Sequence, residues 1–336
     1  MTDLNIAVLG AGVVGVTTAV ELQKRFRHAK IEILAEHVYE DTTSYVAAGV
    51  FRPGTSFCGP TQEITQKWIN DSYTYWDEIR RSPEGARAGV TELSGYIFSS
   101  QHSQAVRNRY IEKLCPVYRA ATEKELKLCP GNWKYGSFFT TVLTQSSYYI
   151  PWAINKFKSN NGKIIQKKIE SLQEVGSYDV VVNCTGLGSR FLCNDYQVVP
   201  IRGQVIKVKA PWIKTFFYGD LDTYVLPGID LVTLGGCRQY ESWDLSVNKY
   251  DSLKIKDQCE ALVPSLKGAE VISHKVGLRP HRGIVRVEKE ILNTDSKKIK
   301  IVHNYGHGGY GVTTAPGTSL YACELVQEIL SGNSKL

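Results

Sequence analysis

A chain of 336 residues is long enough for one large domain or two intimately joined ones. Its 43% hydrophobic and 22% charged residues are those of an ordinary globular protein, and no apolar run approaches the roughly eighteen residues a membrane span requires. The formal net charge of +7 is scattered along the chain; this argues against a nucleic-acid partner and leaves two readings, attraction of small anionic ligands or a merely solvated surface.

Taken in order, the chain enters its first strand almost at once. Met1-Thr-Asp-Leu-Asn5 leaves no room for a signal peptide. Ile6 to Leu9 are apolar and run into Gly10-Ala-Gly12-Val13-Val14-Gly15, after which Val16 to Phe26 has helical spacing. Strand, glycine turn and helix in this register form a dinucleotide-binding fingerprint. Gly10 permits the turn, Gly12 lets backbone approach a pyrophosphate, and Gly15 lets the helix pack closely on the strand. The helix amides then point at the phosphates. A second apolar strand, Lys30 to Ala35, ends at Glu36, about twenty residues past the last glycine, where a carboxylate is expected to accept ribose hydroxyls.

Asp41-Thr42-Thr43-Ser44 places hydroxyls before Val46-Ala47-Ala48-Gly49. Hydroxyls suit phosphate oxygens, and they also suit a helix N-cap; the two readings are compatible. Trp68 to Arg80 has helical spacing of large residues, with Trp68, Tyr73 and Trp76 expected in the core. Gly95 to Phe98 reads as a short strand, Thr122 to Leu126 as a capped helical turn, and Tyr148 to Trp152 as the start of a helix with Pro151 in its first turn. Lys163 to Ile169 alternates like a strand. Asp179-Val-Val-Val-Asn183 reads as a parallel strand buried on both faces, breaking into Cys184-Thr185-Gly186. Ile201 to Lys209, Thr223 to Gly228, Leu231 to Gly236 and Val276 to Pro280 read as antiparallel strands, with Pro227-Gly228 as a hairpin turn. Lys298 to Asn304 is a further strand, entering Gly306-His-Gly308-Gly309-Tyr310-Gly311 and a helix to about Leu330.

The predicted fold is therefore α/β. A discontinuous Rossmann-like domain takes residues 1–54, 160–200 and 296–336. A second, α+β domain on a mainly antiparallel sheet takes residues 55–159 and 201–295. Eight cysteines occur without a C-x-x-C pair, so neither a zinc site nor a thioredoxin-like motif is expected, and free thiols are the simple reading. The last three residues, Ser334-Lys335-Leu336, match a peroxisomal address read by an import receptor, so a peroxisomal location is expected.

Assembled, these motifs resemble the D-amino-acid oxidase and D-aspartate oxidase family of FAD enzymes over nearly the whole chain. The carriers are Gly10-x-Gly12-x-x-Gly15, Thr42-Thr-Ser44, Val46-Ala-Ala-Gly49, Asn183-Cys-Thr-Gly186, Arg202-Gly-Gln204, Ala210-Pro-Trp212, Leu234-Gly-Gly236, Gly277-Leu-Arg279-Pro280 and His303 to Gly311. Ser319 departs from the family's usual alanine.

The resemblance implies FAD as cofactor. Its adenine end would lie by Gly10, Gly12, Val13, Val14, Gly15, Glu36 and His37. Thr42, Thr43, Ser44, Ala48, Gly49, Ile169, Thr185 and Gly186 would line its length, and Gly308, Gly309, Tyr310, Gly311, Val312 and Thr313 would face the flavin. Donors in that turn would stabilise charge on the reduced ring. Arg279 matches the arginine that grips the substrate α-carboxylate, Tyr224 the tyrosine that donates to it, and Gly309 the glycine whose carbonyl accepts from the amine. The implied reaction is hydride transfer from Cα to flavin N5, giving a 2-oxo acid, ammonia and hydrogen peroxide from O2.

Arg238 stands where aspartate oxidases carry arginine and neutral oxidases an apolar residue, so acidic substrates, D-aspartate and D-glutamate, are expected, with Arg238 a second buried cation. A further arginine usual in aspartate oxidases falls here on Phe217 or Tyr218, while Arg52 stands where the family is uncharged. Arg52 either replaces the missing arginine or faces solvent. A neutral D-amino-acid oxidase, a flavin-binding protein without turnover and a nicotinamide dehydrogenase are the alternatives.

Overall fold

A computed structural model of the chain describes residues 4–294 and 298–332; the Ser334-Lys335-Leu336 tripeptide lies outside these residues. Five strands form a parallel block. They are β1 (Asn5–Leu9), β2 (Lys30–Ala35), β6 (Lys163–Gln166), β7 (Val180–Asn183) and β14 (Lys298–His307), ordered β14-β7-β1-β2-β6. Val180 to Asn183 is fully buried between two parallel neighbours, as its valine run requires.

The other strands extend the same sheet. These are β3 (Val90–Ser99), β4 (Val117–Ala120), β5 (Tyr135–Thr144), β8 (Val199–Lys209), β9 (Phe216–Tyr218), β10 (Tyr224–Pro227), β11 (Val232–Gly235), β12 (Gln239–Tyr240) and β13 (Glu270–Asn293). Their order, β4-β5-β3-β9-β10-β11-β8-β13, reaches β14 through an antiparallel pairing, and all neighbours are antiparallel except β3 and β9. The result is a mixed α/β sheet with an antiparallel substrate-side portion. Strand β13 crosses the boundary: its first half pairs with β8 and its second with β14.

Helices cover the parallel block. Helix α1 (Val13–Arg25) packs on α4 (Ser146–Ser159) and α7 (Gly311–Ser331), with Thr17 and Tyr149 hydroxyls 2.9 Å apart. Ser319, the departure from the family pattern, shares a hydrogen bond with Thr18 at 2.8 Å, so its hydroxyl is satisfied in the core. Helix α3 (Gln62–Arg81) lies against α7 so closely that a Cβ on Gly317 would meet the Trp68 carbonyl at 1.9 Å. Trp68 and Trp76 are fully buried, as expected of core residues, and Tyr73 packs edge-on to Phe51. The Trp76 indole donates to the Thr313 carbonyl at 3.0 Å and so ties α3 to the first turn of α7. All eight cysteines are unpaired thiols.

Several boundaries differ from the sequence reading. Helix α4 starts at Ser146, because Gln145 already accepts the first helical bond, from Tyr149 N–H at 3.0 Å; Pro151 therefore lies past the first turn. The strand from Lys163 stops at Gln166, where pairing with β2 ends. Gly95 to Phe98 is the end of a ten-residue strand paired along its length with β5. Thr122 and Glu125 do form a reciprocal cap, Thr122 N–H to Glu125 Oε2 at 2.8 Å and Glu125 N–H to Thr122 Oγ1 at 3.3 Å. Strand β5 and helix α6 (Lys249–Leu262) carried no sequence signal strong enough to be placed.

Candidate active site

A single cavity of about 960 Å³ runs from the carboxyl ends of β1 and β2 to the antiparallel strands β8, β10 and β13. At one end it is lined by Gly10, Gly12, Val13, Val14, Glu36 and His37. Ile169 lies near this end too, since Lys167 N–H donates to the Ala35 carbonyl, and Thr42, Thr43, Ser44, Ala48, Gly49, Thr185, Gly186 and Gly308 to Thr313 also line the cavity. Of the residues assigned to the cofactor from sequence, only Gly15 is absent from the wall. A Cβ there would sit 2.0 Å from the Gly10 carbonyl, so Gly15 serves helix-on-strand packing instead.

The wall suits an extended dinucleotide. Gly10 has φ +98° and holds the turn beneath the Cys184 carbonyl, which a Cβ would approach to 2.6 Å. The N-terminus of α1 opens on the cavity with no acidic residue in its first turn and no cap from its own Gly12. Ser44 takes up one of its amides, Val13 N–H donating to Ser44 Oγ at 3.0 Å, which leaves the Ser44 O–H directed elsewhere. Thr42 instead donates to the Tyr39 carbonyl at 2.7 Å. The N-terminus of α7 also opens on the cavity, again without an acid or a side-chain cap. Two helix N-termini without an acidic residue in their first turns, on one cavity, fit a diphosphate and a ring that gains negative charge. Glu36, half exposed at the end of β2, fits a ribose.

At the other side of the flavin turn the cavity gathers Arg52, Tyr218, Asp222, Tyr224, Arg238, Arg279 and Gly309. Arg279 reaches it from β13. Its guanidinium donates once within the protein, from Nη1 to the Cys237 carbonyl at 3.1 Å, and no carboxylate pairs with it among the described residues. Gly203 leaves it room: a Cβ there would lie 2.3 Å from Nη2. Tyr224, the first residue of β10, has its ring over Gly235 and Gly236, where a Cβ would come to 2.0 and 2.8 Å. Burial pushes its phenol up to about 12, against an opposing pull from Arg279, so the hydroxyl is a proton donor across the working pH range.

Arg238 differs from expectation. It lines the cavity but is not an unpartnered cation: Nε lies 3.0 Å from Asp222 Oδ1. Asp222 belongs to the β9–β10 turn, which Leu221 and Asp222 shape with φ of 56° and 58°. Nothing in the sequence pattern marked Asp222, since it faces Arg238 only after β10 and β11 fold into a hairpin. The same turn holds Asp220, which accepts from the Ser100 amide at 3.0 Å and hydroxyl at 2.6 Å.

Arg52 does not face solvent. It is half-buried, its Nε is enclosed without an acceptor, and its guanidinium carbon lies 4.5 Å from the centre of the Tyr218 ring. Tyr218, rather than Phe217, occupies the cavity wall; Phe217 stacks with Tyr96 and Phe98 in a separate core cluster.

The FAD dependent oxidoreductase (DAO) family profile matches residues 5–325. The chain belongs to that family. It is 41% identical to D-aspartate oxidase of Homo sapiens, covering 98% of this chain and 96% of that one. It is 34% identical to D-amino acid oxidase of Dugesia ryukyuensis, over 97% and 98%. Among solved structures it is similar to glycine oxidase from Bacillus cereus ATCC 14579, with a TM-score of 0.78 at 16% identity, covering 99% of this chain and 96% of the other; that likeness speaks for the fold. The protein is an FAD-dependent oxidoreductase of the D-amino-acid and D-aspartate oxidase kind, and its cofactor is FAD.

Proposed function

We propose that this chain oxidises acidic D-amino acids, D-aspartate and D-glutamate, to the 2-oxo acid, ammonia and hydrogen peroxide. The observation that carries the reading is a pair of cavity-lining guanidinium groups, Arg279 and Arg52, each without a carboxylate partner among the described residues. A ligand with two carboxylates complements two such cations, and a ligand with one leaves a charge unpaired.

FAD bound here supplies the two-electron acceptor for the Cα–H bond and passes the electrons to O2. The protein's part is placement. Arg279 takes the α-carboxylate edge-on through two N–H groups, and the protonated Tyr224 hydroxyl donates to the same carboxylate. The Gly309 carbonyl accepts from the amine, which fixes rotation about the axis set by the carboxylate. With the amine neutral, no side chain need take a proton from Cα.

The identity of 41% to a D-aspartate oxidase supports this reading. One observation favours a neutral substrate instead: Asp222 neutralises Arg238 and removes one cation from the count. Initial rates of peroxide release on a panel of D- and L-amino acids decide between them. D-aspartate or D-glutamate should give the highest kcat/KM. A higher value for D-alanine would replace the acidic reading by the neutral one, and no peroxide from any D-amino acid would exclude both.

A further inference from the structure

We infer that Arg52, standing on Tyr218, is the residue that receives the side-chain carboxylate of the substrate, and that Arg238 is withheld from that role by Asp222. The inference rests on the acidic-substrate reading and assigns its second carboxylate to one residue.

Three arginines line the cavity. Arg279 is taken by the α-carboxylate. Arg238 lies 3.0 Å from Asp222, and a substrate carboxylate bound there would first have to displace a carboxylate of the protein. Arg52 has no carboxylate partner among the described residues to give up. Its main chain is pinned on both sides: Phe51 N–H donates to the Val142 carbonyl at 2.8 Å, Thr141 Oγ1 donates to the Phe51 carbonyl at 2.8 Å, and Asn108 Nδ2 donates to the Pro53 carbonyl at 2.8 Å. The side chain therefore leaves a fixed point.

Tyr218 then decides how the cation is presented. A guanidinium held over a ring is attracted to it without a carboxylate partner, so its charge stays available to a ligand. The Tyr218 ring is in turn 5.8 Å, centre to centre, from the ring of Tyr224, the donor to the α-carboxylate. Arg52, Tyr218 and Tyr224 thus form a continuous row along one wall, with the two carboxylate sites at its ends. Arg52 Nε, enclosed without an acceptor, is what such a site looks like before its ligand arrives.

The test uses holoenzyme of wild type, Arg52→Met, Arg52→Lys and Arg238→Met, with FAD content measured to establish that each variant is folded. Two readouts are taken: the ratio of kcat/KM on D-aspartate to that on D-alanine, and the dissociation constants of malonate and acetate by titration calorimetry. Arg52→Met should lower the ratio about a hundredfold and weaken malonate far more than acetate, with Arg52→Lys recovering part of both. Arg238→Met should change the ratio less than tenfold. If Arg238→Met collapses the ratio and Arg52→Met does not, Asp222 yields to the substrate and the assignment is wrong. If Arg52→Met weakens malonate and acetate equally, Arg52 supports the shared α-carboxylate or the fold, and the assignment is again wrong. Should wild type prefer D-alanine, the substrate reading fails by itself; the malonate-to-acetate comparison still decides whether Arg52 forms a second carboxylate site.

Discussion

The guanidinium of Arg279 occupies the space that a side chain at position 203 would fill, 2.3 Å from where a Gly203 Cβ would stand. Both residues lie on paired strands, Arg279 opposite Ile201 and Gly203 opposite Gly277. Gly203→Ala should therefore act on the clamp and spare the fold, because the atoms in the way are the far end of a flexible side chain. Flavin content and Tm should stay near wild type, while kcat/KM falls on the order of a hundredfold for D-aspartate and D-alanine alike. A normal rate in this variant would mean the clamp tolerates a displaced Arg279.

Tyr224→Phe removes one donor to the α-carboxylate and leaves the ring between Gly235 and Tyr218. A hydrogen bond to a charged group contributes about 1.5–3 kcal/mol, so kcat/KM should drop roughly ten- to a hundredfold on every D-amino acid, without a change in their ranking. Because burial pushes the phenol up to about 12, the wild-type profile should show no alkaline limb from Tyr224 below about pH 11. Steady-state rates across pH for the two proteins check both statements.

Arg202 has a structural task. It is 1% exposed and donates to Asp251 at 2.8 Å, to the Asp244 and Ser246 carbonyls at 2.8 and 2.7 Å, and to Gln239 and Gln204 at 2.8 and 3.1 Å. It thereby pins residues 244–251 and the start of α6 onto β8. Arg202→Met leaves these acceptors buried and should cost about 3–5 kcal/mol, with Tm lowered by roughly 4–7 °C in calorimetry. A Tm within 1–2 °C of wild type would show the network to be dispensable.

Acid should weaken the fold before it weakens any carboxylate pair. His307 is buried, and burial holds it down to about 3; its Nε2–H donates to Thr318 Oγ1 at 2.9 Å, since the Thr318 hydroxyl is itself directed to the Ala315 carbonyl. His303 is also lowered by burial, against an opposing pull from Glu290. His307 stays neutral when folded and takes up a proton when the chain unfolds. Its contribution is complete above about pH 6.5 and is lost as pH falls toward about 3, approaching about 1.4 kcal/mol per pH unit, and His303 acts in the same direction. Tm measured from pH 7.5 to 5 should fall, and His307→Gln should remove about one proton's share of that slope.

The parts of the fold that were legible in sequence are those where one short segment carries the whole signal. The glycine turns after β1 and β7 follow unbroken apolar runs and that after β14 a partly alternating one, so strand, turn and helix declare themselves. Helix α6 buries only Ile255, Cys259 and Leu262, a stripe too thin to rise above its charged residues. Strand β13 was legible only near Arg279, because much of its length is half exposed and polar while its hydrogen bonds go to β8 and β14. In the site, every residue assigned a substrate role lies on the cavity. What could not be read was pairing. Asp222 beside Arg238 and Tyr218 beneath Arg52 join residues 16 and 166 positions apart, brought together by the β10–β11 hairpin and by the β5-β3-β9 pairing respectively.

Strand β13 has one more consequence. Arg279 stands two residues before His281, which faces His307 across the ladder, and His307 directly precedes the Gly308–Gly309 turn. One strand therefore carries both the grip on the substrate and the residue facing the flavin turn, and its pairing with β8 runs unbroken from Ser273 to His281. Arg52, Tyr218 and Asp222 are mounted on other segments. Such a layout separates the reaction from the choice of substrate: mutation can retool which side chain is admitted while the reacting carbon stays at the same distance from the ring that oxidises it.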